Sequence, residues 1–158
     1  QISLKPEILA ILAKHENIVA IKDATRDFGE LTTKIDMAGE DIAIFVGPAT
    51  LILPGILFGA KGFISSGPME LMRKDGARLY EFAAAGKVYE AKDLQFKATR
   101  LYRTLFGIGT WPAALKAALN AIGRPAGVPR LPVHPLGKEE ESRLKKTLRD
   151  LGILKLPE

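Results

Sequence analysis

Residues 18–24 read Ile-Val-Ala-Ile-Lys-Asp-Ala, and residues 41–47 read Asp-Ile-Ala-Ile-Phe-Val-Gly. Each is a short, β-branched and apolar run that gives way to polar or small residues and then to a helical pattern. A continuous apolar run of this length is how a strand buried on both faces looks. Outward from these two runs the unit repeats. Residues 6–14 form a short amphipathic helix with Pro6 in its first turn, and Phe28 to Ala38 form a helix capped by Asp27 and followed by Gly39. Residues 50–58 read as helical despite Pro54 and Gly55, residues 61–65 as a third short strand, and residues 69–85 as a helix after Pro68. Strand–helix units with no hairpin signal between them imply parallel strands joined by crossover helices, an α/β class.

From residue 87 the pattern is helical only. Ala91, Leu94, Ala98, Leu101 and Leu105 make an apolar stripe across residues 87–106, and residues 111–122 follow with Thr110 as N-cap and Pro112 in the first turn. Residues 123–137 hold four prolines and read as an extended connector; residues 138–151 close the chain as a charged helix ending at Gly152. Two segments result: strand–helix units over residues 1–86 and a helical extension over residues 87–158.

Composition excludes several classes. Among 158 residues there is no cysteine, which rules out a disulfide scaffold and any cysteine-based zinc or redox site and fits a reducing cytoplasm. No run approaches the roughly 20 apolar residues of a membrane span, and the N-terminus lacks a signal-peptide layout. The first residue is Gln1, from which a processed or partly represented polypeptide is expected. The net charge is +5, but residues 1–79 balance at −1 and residues 80–158 at +6. The excess is interleaved with acids, as in Lys138-Glu139-Glu140-Glu141-Ser142-Arg143, which describes a solvated helix face. A nucleic-acid surface needs clustered cations beside aromatics, so neither nucleic acid nor membrane is expected as a partner.

One residue is out of character for its place. Lys22 ends the first apolar run, at the strand end where parallel α/β structures collect ligands and catalytic groups. A lysine stem walled by apolar residues loses solvation, which favours the neutral amine, and a neutral amine attacks a carbonyl to form a Schiff base. The alternative is a strand-end lysine paired with Asp23 or reaching to water. The next two strand ends carry Gly47-Pro48-Ala49-Thr50 and Ser65-Ser66-Gly67-Pro68; small residues with free N–H groups suit a carboxylate or phosphate, and they equally suit ordinary turns. Other motifs fail. Residues 62–67 lack the leading glycine of a nucleophile elbow, residues 106–111 lack the third glycine of a dinucleotide fingerprint, and no Walker lysine exists. His15 and His134 are solitary, so no metal is expected.

Taken together, residues 17–27, residues 41–65 and the ending from Arg124 to Leu154 resemble the C-terminal half of the dihydrodipicolinate synthase / N-acetylneuraminate lyase superfamily. The resemblance rests on the lysine strand, the Gly-Ala-Lys-Gly-Phe-Ile-Ser run at 59–65 and the arginine-proline segment before the last helix. It implies the sixth to eighth strands of a TIM (β/α)8 barrel plus extra C-terminal helices. By it, Lys22 is the catalytic lysine that condenses with the keto group of pyruvate or a related 2-oxo acid, with no cofactor beyond that imine. Gly47 matches the glycine after the seventh strand and Ile64 the residue whose backbone carbonyl faces the substrate; Ser65 and Ser66 join them in substrate binding. The resemblance also implies a cytoplasmic homo-oligomer, commonly a tetramer.

Two departures bear on the reaction. Pro48-Ala49 stand where synthases carry acids, and Met69-Glu70 where many members carry an asparagine. Condensation, cleavage and dehydration of a 2-keto-3-deoxy sugar acid all stay open, as does an inactive half-barrel that only binds. The family's proton-relay and carboxylate-binding residues belong to the first five strands, and Tyr80, Tyr89 and Tyr102 fall in outer helices. An N-terminal half is therefore expected as a required partner.

Overall fold

The computed structural model describes residues 3–154. Three parallel strands, β1 (Ala20–Asp23), β2 (Ala43–Val46) and β3 (Gly62–Phe63), lie side by side in chain order. The register pairs Ala20 with Ala43, Lys22 with Phe45, Phe45 with Gly62 and Val46 with Phe63. Helix α1 (Pro6–Leu12) precedes the sheet, α2 (Phe28–Ala38) joins β1 to β2, and a 3-10 turn (Ala49–Leu51) runs into α3 (Ile52–Leu57) before β3. After β3 come α4 (Pro68–Met72), α5 (Lys74–Ala84), α6 (Val88–Gly107), α7 (Trp111–Ala121) and α8 (Lys138–Asp150). Among the described residues no helix is long and apolar enough to cross a membrane.

The chain divides into two compact units, the first comprising residues up to Ser66 together with Lys74–Gln95, the second Gly67–Arg73 together with residues from Phe96 on. The change of sequence pattern at residue 87 falls inside the first of these. The reason is Gln95: its side chain donates to the Ala49 carbonyl at 2.9 Å and accepts from the Leu53 N–H at 2.8 Å, which binds the opening turns of α6 into the first unit.

Within the first unit one face of the sheet is covered. Ile44 and Val46 are buried with Leu31 and Ala38 of α2 and Ile52 and Ile56 of α3. Gly55 makes this possible, because a Cβ there would meet Val46 Cγ2 at 2.5 Å. Pro54 is tolerated as the third residue of α3, where a backbone N–H has no intrahelical partner to lose. Asp27 caps α2 through a 3.0 Å bond from the Glu30 N–H to its carboxylate.

Three expectations are corrected. β1 is not buried on both faces: Val19 is 71% exposed and Ala20 and Lys22 are exposed, since β1 pairs only with β2 and nothing in the described chain covers its other face. The helix expected over 69–85 is two helices, broken at Arg73, whose φ is +53°. Thr110 occupies the N-cap of α7, but its side chain makes no capping bond.

In the second unit, Ala98, Leu101 and Leu105 of α6 are buried, as are Ala113, Ala114 and Ala118 of α7 and Leu144 and Leu148 of α8. The connector is tied to α7, with Lys116 donating to the Ala126 carbonyl at 2.6 Å and Asn120 bridging Ala126 and Gly127. Glu140 closes the start of α8 by accepting from the Gly137 N–H at 2.9 Å.

Candidate active site

The C-terminal ends of β1, β2 and β3 bring Lys22, Gly47 and residues 64–66 to one end of the sheet. Side chains alternate along a strand. Asp23 therefore turns to the covered face and is 2% exposed, while Lys22 projects from the other, open face.

Gly47 fits around Lys22. A Cβ at Gly47 would stand 3.1 Å from Lys22 Cε and 2.5 Å from the Asp23 carbonyl oxygen, so only glycine leaves the lysine stem this path. The Gly47 N–H donates to that same carbonyl at 2.7 Å, and the Ile64 N–H donates to Val46 at 2.9 Å. The Gly47 and Ile64 N–H groups are thus spent on the sheet. Ile64 and Ser66 are exposed and Ser65 is half-buried.

Asp23 does not pair with Lys22. One of its oxygens accepts from the Lys34 amine at 2.7 Å, and the other accepts from the Thr25 hydroxyl at 2.7 Å and the Thr25 N–H at 3.1 Å. Lys34 itself is 2% exposed and also bonds Glu30 at 2.8 Å, one helical turn back. Ser3 donates to Glu30 at 2.7 Å. Burial pulls the Lys34 amine down, but the hydrogen bonds to Asp23 and Glu30 outweigh it and hold its proton above the ordinary range. The hydrogen bond from Lys34, then that from Ser3, holds the Glu30 carboxyl below its ordinary value. Among the described residues no carboxylate pairs with Lys22.

The sequence reading did not single out this network. A signal existed: Lys34 falls three residues after Leu31 and four before Ala38, on the apolar stripe of α2 rather than on its outer face. Tyr80 lies on α5, and Tyr89 and Tyr102 lie on α6. Among the described residues no group of three His, Asp or Glu side chains is placed to hold a metal ion.

A parallel strand–helix array with a lysine at the C-terminal end of its first strand, followed by a helical extension, is the C-terminal part of a TIM barrel. Residues 1–151 match the profile of the dihydrodipicolinate synthetase family, and the chain belongs to that family. It is 33% identical over 153 residues to a 4-hydroxy-tetrahydrodipicolinate synthase of Geotalea uraniireducens, covering 97% of this chain and 52% of that protein. It is 35% identical over 147 residues to the protein of the same name from Methanospirillum hungatei, covering 92% and 50%. The fold superposes on a chloride-inhibited dihydrodipicolinate synthase from Acinetobacter baumannii, complexed with pyruvate, with a TM-score of 0.89 and 31% identity, over 96% of this chain and 52% of that one. The chain thus spans about half the length of the curated relatives it matches.

Proposed function

We propose that this chain carries the imine-forming lysine of a lyase or synthase that acts on pyruvate or a related 2-oxo acid. The observation that carries the proposal is the placement of Lys22: at a strand's C-terminal end, threaded past Gly47, with the neighbouring carboxylate turned to the opposite face. The neutral amine adds to the keto carbon, the carbinolamine loses water, and the protonated imine draws electrons from the adjacent carbon. Loss of a proton there gives an enamine that adds to an aldehyde, and the reverse sequence cleaves one. Ser65, Ser66 and the Ile64 backbone lie at the third strand end, where they would hold the acid.

Lys22 is exposed among the described residues, so the desolvation that favours a neutral amine would come from the remaining barrel strands. The proton-relay and carboxylate-binding groups would come from the same source, and turnover would require them. A second reading, dehydration or aldol cleavage of a 2-keto-3-deoxy sugar acid, is favoured by Pro48 and Ala49. Both are buried and neither offers an acid to a second substrate.

Incubation of the intact protein with pyruvate and borohydride is expected to give a stable mass increase on Lys22, absent in Lys22→Ala. No adduct with pyruvate or any 2-oxo acid tested would sink the imine mechanism. Adduct formation with turnover of a sugar acid but no aldehyde condensation would favour the dehydratase.

A further inference from the structure

Lys34 and Asp23 form a buried ion pair that the imine chemistry does not use, directly behind the strand that presents Lys22. Both residues are 2% exposed, their side chains meet at 2.7 Å, and Glu30 and Thr25 take up the remaining bonds. Stability alone is a weak reason for such a pair, since apolar residues of similar volume fill the same space at equal or lower free energy. Its position suggests another. Asp23 is covalently next to Lys22, and a carboxylate without a cation of its own would favour the charged form of any amine nearby.

Resting on the proposed imine chemistry, we infer that Lys34 is a positioning residue for Lys22: it binds the Asp23 carboxylate on the covered face of β1, which keeps that charge from holding the Lys22 amine protonated. The surrounding charges are few. β1 contributes Asp23, the following turn Arg26 and Asp27, α2 contributes Glu30 and Lys34, and Lys5 ahead of α1 acts on Glu30; β2 carries no titratable side chain. Thr25 completes the arrangement, because its two bonds to Asp23 fix the backbone just beyond Lys22.

The test needs no substrate. The pH at which Lys22 is half-maximally acetylated by trace acetic anhydride is read by mass spectrometry on the intact protein and its variants, with thermal melts alongside. Lys34→Met leaves carboxylates without their cation, so the Lys22 midpoint should move up by about half a unit to one unit. Asp23→Asn removes one negative charge while Lys34 keeps its bond to Glu30, and should move the midpoint down by a similar amount. The double variant Lys34→Met/Asp23→Asn removes both charges and should return close to the wild-type midpoint. A merely structural pair would not give opposite shifts that cancel. Unmoved midpoints, or shifts of the same sign in both single variants, would overturn the inference. Should Lys34→Met fail to fold, Asp23→Asn decides alone, and an unmoved or raised midpoint there overturns it. A wild type that forms no pyruvate adduct defeats the imine reading, while the acetylation midpoints still decide the role of Lys34.

Discussion

At Gly47 a single methyl group would have to share space with the Asp23 carbonyl oxygen at 2.5 Å and Lys22 Cε at 3.1 Å. The first contact is with backbone, so the strand end must shift, and the lysine moves with it. Gly47→Ala is expected to destabilise the protein by about 1–3 kcal/mol and to slow borohydride-trapped adduct formation at Lys22 by at least about tenfold, since such sites tolerate little misplacement. Equal trapping rates in the two proteins would show that the lysine has another path. Lys22 stood out in the sequence as a candidate because a charged residue interrupts an apolar run at the end where sites collect. Lys34 did not stand out, although it falls on the apolar stripe of α2, because Glu30 four residues earlier resembles an ordinary surface ion pair.

Among the elements, the helices were the most legible. The Asp27 cap, the apolar stripe of α6 and the proline-opened α7 each follow from local chemistry that needs no distant partner. The break between α4 and α5 had no such signal, because residues 69–85 contain no proline and the chain turns at an arginine. Arg73 adopts φ +53° and ψ −117°, a conformation that costs a side-chain-bearing residue about 1–3 kcal/mol. Arg73→Gly is expected to raise stability by about 1 kcal/mol in urea unfolding, and a loss of stability would mean that the arginine side chain contributes more than the strain removes. Gln95 is the second such element-level feature. Gln95→Leu strands the Ala49 carbonyl and the Leu53 N–H in a buried setting, with an expected loss of about 2–4 kcal/mol in the same measurement.

For the molecule as a whole, the buried network sets a pH window. Glu30 titrates below its ordinary 4.5, so its contribution to stability is present above pH 4.5 and is lost as the pH falls through the lowered folded value. Lys34 titrates above its ordinary 10.5, so its contribution is full below pH 10.5 and is lost as the pH rises through the raised folded value. Urea unfolding across pH 3 to 11 should therefore show a plateau with a loss at each end. In Lys34→Met/Asp23→Asn the alkaline loss should shrink. At this scale the parallel order of the strands and the family were legible from the sequence. The openness of β1 was not, because an apolar run is silent about what covers it.

The ion pair behind Lys22 also constrains how this sequence can drift. A neutral residue at 34 strands the buried Asp23 carboxylate, whereas a neutral residue at 23 leaves Lys34 its bond to Glu30. Replacement by neutral side chains is therefore open in one order, with residue 23 changing before or together with residue 34. Descendants of this chain are expected to include some that keep Lys34 without Asp23, and none that keep Asp23 without Lys34.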